Sequence, residues 1–194
     1  MNKNDYREDL IKSFPKLPTD GAFNIIFEPG DEDSNKFFNC VAYTLSFNEY
    51  WIWPANSGVT YFIRESYGEK NFKMFWPVGV RNDTSLEAFT QLYTLFGYEP
   101  CNNITFDSNY QKVIVYGFNF KEVTHVAVIN DGFCTSKMGA EILLNHHPDS
   151  LVGEVFGDIL IAFKRKLDNV YDNTDILMNH GGRLRRVSLA SIDW

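Results

Sequence analysis

Asn39-Cys40-Val41-Ala42-Tyr43-Thr44-Leu45 decides how this chain is read, because it sets a cysteine at the start of an apolar helical run. Phe37, Val41 and Leu45 fall at helical spacing, with Phe38 and Ala42 beside them. Asn39 has the side chain of an N-cap, which puts Cys40 in the first helical turn. Free backbone N–H groups and the positive end of the helix dipole lower a thiol's pKa at such a position. The thiolate is the nucleophilic form, so Cys40 is the first candidate for catalysis.

The polar run Glu28-Pro29-Gly30-Asp31-Glu32-Asp33-Ser34-Asn35 reads as a turn that delivers the chain to this helix. Before it, 5–13 reads as a short helix and 23–27 as a short apolar strand. After it, the helix is expected to end by Asn48, ahead of the aromatic knot Glu49-Tyr50-Trp51-Ile52-Trp53-Pro54. A helix is expected around 61–67, with Gly68 as its stop. The clearest helical pattern is 85–96, with Leu86, Phe89, Leu92, Tyr93 and Phe96 as its stripe. Thr84 is expected to cap it and Glu87, three residues on, to complete a capping box. Residues 98–110 read as loop.

From Lys112 the period changes to that of strands. Val113-Ile114-Val115-Tyr116 is the first and Val123-Thr124-His125-Val126-Ala127-Val128-Ile129 the second. Asn130-Asp131-Gly132-Phe133 signals a hairpin with a two-residue type I′ turn. Cys134-Thr135-Ser136-Lys137-Met138 returns as the third strand, and Ile159-Leu160-Ile161-Ala162-Phe163 is a buried fourth. Ile142-Leu143-Leu144 and a His146-His147-Pro148 turn lie between them. The boundaries are a lead-in over 1–22, one domain over 23–167, and a basic extension over 168–194, whose Arg183, Arg185 and Arg186 read as a solvated face.

Composition narrows the function classes. Of 194 residues, 44% are hydrophobic and 16% aromatic, which argues for a folded domain with a real core. The net charge of −7 disfavours a general nucleic-acid binder. Cys40, Cys101 and Cys134 show no paired spacing, no CxxC and no zinc-finger set, so the chain reads as reduced and cytoplasmic, with no cofactor expected. The N-terminus lacks the apolar core of a signal peptide and no run is long enough for a membrane span. Delivery by a specialised secretion route stays open.

A cysteine on an early helix followed by a histidine on a later strand resembles the papain-like superfold, and within it the NlpC/P60 and CHAP cysteine hydrolases. The resemblance rests on Asn39-Cys40-Val41-Ala42-Tyr43 and on Thr124-His125-Val126-Ala127-Val128-Ile129 with the tight turn after it. The chain also looks like an uncharacterised bacterial domain family with the same Asn-Cys and Thr-Ser-Lys-x-Gly features. The resemblance implies an α+β fold, with N-terminal helices packed on a small antiparallel sheet. It implies a thiol hydrolase or acyltransferase acting on an amide or ester, with Cys40 as nucleophile and His125 as base. A peptide, a protein or a peptidoglycan-like amide would be the substrate, and a bacterial effector or toxin is one setting for it.

The expected hairpin register can be tested for chemical consistency. It sets Ile129 opposite Cys134 and turns His125, Ala127, Cys134 and Ser136 to one face, with Lys137 on the other. Ser136 is then a diagonal neighbour of His125, about 7–8 Å away between backbones. It becomes the third catalytic candidate, although a serine is a weak orienter for an imidazole. His146 is its rival, reachable if the chain folds back after Gly139. Asn39 or Asn35 is the candidate oxyanion donor beside the Cys40 N–H. The alternative is a non-catalytic binding module on the same scaffold, with Cys40 inert and an aromatic cleft holding a partner. A zinc enzyme using His125, His146 or His147 with a cysteine is the third possibility, and it lacks a clear ligand set.

Overall fold

A computed structural model describes residues 3–19, 21–27, 38–48, 50–54, 71–139, 142–167, 173 and 185–188. The expected helix at 61–67, the turn at 28–35, Asn35 and Arg183 lie outside these residues. The fold is mixed α+β, built on a seven-stranded antiparallel sheet. In chain order come α1 (Lys3–Ser13), β1 (Asn24–Phe27), α2 (Cys40–Thr44), β2 (Tyr50–Ile52), β3 (Asn71–Phe75) and α3 (Leu86–Leu95). Then follow β4 (Glu99–Cys101), β5 (Tyr110–Phe118), β6 (Glu122–Ile129), β7 (Cys134–Met138), β8 (Ile142–His146), β9 (Asp158–Lys166) and β10 (Arg185–Ser188).

The large sheet runs β1-β8-β7-β6-β5-β9-β4, and each neighbouring pair is antiparallel. A second sheet runs β10-β3-β2, with β2 parallel to β3. The sheets take in segments that periodicity alone left as loop or extension. Glu99–Cys101 pairs with β9, His146 closes β8, and Arg185–Ser188 pairs with β3. Short strands of this kind carry too few residues for alternation to register, and a neighbouring strand's hydrogen bonds define them. No helix among the described residues is long and apolar enough to cross a membrane.

Alternation along the central strands splits the core in two. Val113, Val115, Val126 and Phe163 join one buried cluster; Ile114, Tyr116, Ala127 and Ala162 join the other. The first face is covered by α2 through Cys40, Val41 and Leu45, and by α3 through Phe89, Leu92 and Tyr93. The second is covered by Leu10 of α1 with Phe14 and Leu17, so the expected lead-in is part of the core. Each such side chain contributes about 1.5–3 kcal/mol through burial.

Cap and turn chemistry differs in detail from expectation. Ser85, not Thr84, caps α3: its hydroxyl accepts from the Ala88 N–H at 3.2 Å. Thr84 is spent in backbone pairing, its carbonyl accepting the Val123 N–H at 2.8 Å, and Glu87 turns to Arg81 instead of closing a capping box. Ser85→Ala is therefore expected to cost about 1 kcal/mol, read as a lower urea midpoint at unchanged slope. Thr84→Ala should change little. At the β6–β7 hairpin the expected register is present, with Ile129 opposite Cys134. Gly132 has φ +79°, but Asp131 is not in the left-handed region, so the turn is not type I′.

Candidate functional site

The sequence motif at Asn39 folds as its residues suggest. Asn39 is the N-cap of α2, its Oδ1 accepting the Ala42 N–H at 3.1 Å. The same oxygen accepts the Ile52 N–H at 3.2 Å, and Nδ2 donates to the Ile52 carbonyl at 2.9 Å. One buried side chain thus ties the start of α2 to β2. Oδ1 and one of the two Nδ2 hydrogens are taken up in this clamp, so the side chain expected as an oxyanion donor serves here to join α2 to β2.

Cys40 is the first residue of α2 and is only 6% exposed. The β6–β7 ladder explains its position. Pairing stops at Val128–Thr135, although both strands continue. Ala127–Ser136 and Val126–Lys137 would come next, and the strands have parted there. The start of α2 lies against both strands at this split, with the Cys40 sulfur at the Val126 N–H. Burial pushes the thiol up to about 11, against smaller opposite effects from the N–H groups of Val126, Val41 and Cys40 itself. The helix start was expected to lower this pKa. Desolvation wins because the sulfur is sealed under the core rather than opened to solvent.

His125 lies on the other side of the sheet. Its cross-strand partner is Tyr116, a member of the second cluster, with the rings 5.9 Å apart. Its imidazole stacks on Phe156 at 4.2 Å between centroids and 5° between planes. The ladder is bulged at Thr124, between the Tyr116–His125 and Gly117–Val123 pairs. That bulge lets Val123 face α2 while His125 faces away. The residue is 2% exposed, and Nε2 has no hydrogen-bond partner among the described residues. Burial, with nearby His146 as a smaller cause, pushes its pKa down to about 3. The expected Cys40–His125 pair is therefore not formed: the sheet separates a protonated thiol from a neutral imidazole. Alternation identified which residues share the His125 face, but not which face the cysteine helix covers.

The residues expected to orient His125 do meet one another. The chain folds back after Gly139, and Ser136 Oγ lies 2.7 Å from His146 Nε2. His146 Nδ1 lies 2.9 Å from the His147 carbonyl. A carbonyl only accepts, so Nδ1 carries the proton and Nε2 accepts from Ser136. Both side chains are fully buried on the His125 face, the face to which their strand neighbours Cys134 and Leu144 turn. Ser136 and His146 thus form a satisfied core pair that is on the wrong side of the sheet to act on Cys40. Among the described residues, no three His, Cys, Asp or Glu side chains come together as a metal set.

On the Cys40 face, residues that the motif reading passed over come together. Tyr43 of α2 hydrogen-bonds Thr135 of β7, and Thr135 also bonds Asn130 at 2.8 Å and Asn145 at 2.9 Å. Two residues on, Lys137 is 2% exposed, with Nζ 4.9 Å over the Phe38 ring. Burial pushes its amine down to about 7. Its signal in the sequence was a lysine at an interior strand position, one residue after Ser136 and so on the opposite face.

The comparisons with known proteins bear on the family alone. A family model described as a domain of unknown function, DUF7689, matches residues 30–164, a span that holds α2 and the strands from β2 to most of β9. No curated protein matches, and no solved structure matches. With well over half of its length matched, the chain belongs to the DUF7689 domain family.

Proposed function

We propose that this chain is a non-catalytic binding module on a papain-like α+β scaffold, with its binding site where the start of α2 meets the split between β6 and β7. One observation carries the reading: Cys40 and His125 lie in the cores of opposite sheet faces. A thiol held near 11 and an imidazole held near 3 exchange no proton at neutral pH. Asn39, Cys40 and Thr44 then serve as architecture, with Thr44 Oγ1 bonded to the Tyr93 hydroxyl at 2.7 Å. All three cysteines are free thiols, which supports a reducing, cytoplasmic setting. The partner is a peptide, a protein segment or a small molecule, not a nucleic acid.

The test is alkylation of the native protein by iodoacetamide from pH 5 to 9, read by mass spectrometry at each cysteine. Cys40 is expected to react at least about a hundredfold more slowly than in denaturant, since a thiol near 11 exposes little thiolate and little surface. His125→Ala should not change its rate. Fast reaction of Cys40 alone below neutral pH, lost in His125→Ala, would overturn this reading. It would restore a thiol hydrolase or acyltransferase with His125 as its base.

A further inference from the structure

Lys137 is the charged side chain that this fold leaves least accounted for. It is buried at the junction of β7 and α2, with Leu143 as its ladder partner on β8. Its amine has neither a hydrogen bond nor an ion pair among the described residues, and it lies 4.9 Å over the Phe38 ring. Buried lysines are almost always paired, because an ammonium loses several kcal/mol of hydration on leaving water. A ring face returns only about 2 kcal/mol of that. Among the described residues, the elements packed against it bring no anion. From α2, the titratable groups on this face are Cys40 and Tyr43, both with raised pKa and both uncharged at neutral pH. β6 brings Val126 and β8 brings Leu143 and Asn145.

We infer that Lys137 is the anchor for an organic carboxylate, and that the ligand of the binding site at the α2–β7 junction carries such a group on an apolar body. The inference rests on the binding reading above and names its ligand class. A carboxylate fits better than a phosphate, because one ammonium with no arginine beside it among the described residues matches a single negative charge. The apolar body follows from Phe38, which packs on the core beneath the amine. Binding draws a proton onto an amine that is largely neutral above pH 7, so affinity falls by up to about tenfold per pH unit there.

The experiment is NMR of the full chain with 13C-labelled lysine, following the Lys137 ε-methylene against phenylacetate, acetate and inorganic phosphate at constant ionic strength. Lys137 should titrate near neutral pH in the free protein, well below the other lysines. Phenylacetate should shift its resonance saturably and raise its titration midpoint, acetate should do so more weakly, and phosphate should not. Lys137→Met should abolish saturable phenylacetate binding. If that variant does not fold, the titration of the unaltered protein decides alone. An ordinary lysine titration, a saturable response to phosphate alone, or no saturable response to any probe would overturn the inference. Failure here with an inert Cys40 removes the ligand class but leaves the binding module standing. A reactive Cys40 removes the binding module itself.

Discussion

Acidification from pH 6.5 towards pH 3 is expected to cost this protein roughly 4 kcal/mol through His125 alone. Above its ordinary 6.5 the imidazole is neutral in both folded and unfolded chains, so it adds no pH dependence there. Below 6.5 the unfolded chain takes up the proton, while the folded chain, held to about 3 by burial, does not. Stability then falls by about 1.4 kcal/mol per pH unit across the window between those values. That loss is a large share of the 5–15 kcal/mol typical of a domain. His125→Phe keeps a flat ring on Phe156 and removes the nitrogens, so it should flatten the slope between pH 6 and 4. Asp83, held down to about 2 by the Ser85 and Arg81 hydrogen bonds, adds its own loss only below its ordinary 3.8. The check is a series of urea unfolding curves at stepped pH. Equal slopes for the two proteins would mean that His125 is not sealed on the sheet face described here.

Gly157→Ala and Gly117→Ala are each expected to cost about 3 kcal/mol or more, a large share of a domain's stability. A Cβ on Gly157 would overlap the Gly117 carbonyl, and one on Gly117 would overlap the Glu122 carbonyl. The obstacles are backbone atoms and cannot swing aside, and Gly157 also holds φ +77°. The close approach fixes the 153–157 loop against the bulged end of β5. That loop carries Phe156, which stacks on His125 and whose carbonyl accepts the Thr124 hydroxyl at 2.6 Å. Gly132→Ala is the control: φ is +79° there as well, but nothing lies within 4 Å of the added atom. It should cost only about 1 kcal/mol, the left-handed backbone penalty by itself. Thermal unfolding of the three variants separates the two causes, and equal losses would mean that the tight approach is absent.

Local chemistry was enough to read part of this protein from its residues. The Asn39 cap, the helix start at Cys40, the apolar stripe of α3 and the register of the β6–β7 hairpin all rest on neighbours within a few positions. So does the division of faces, which sets His125 and Ser136 on one side and Lys137 on the other. The short strands β2, β4 and β10 had no such signal, because their pairing partners lie far along the chain. The capping of α3 went to Ser85 because Thr84 was needed by Val123, a contact that no local pattern contains.

Which face of the sheet α2 covers was also a tertiary decision, and the functional reading turns on it. Alternation has a period of two and carries no label for the two sides, so it allowed Cys40 to be either with His125 or across from it. Packing resolved this by volume and closure. α2 and α3 cover the valine face through Val41, Phe89 and Leu92, while Leu10, Phe14 and Leu17 close over Tyr116 and Ala127. The residues alone place a cysteine at a helix start and a histidine on a strand. Only the packed sheet between them, which neither motif can encode, decided that the two do not meet.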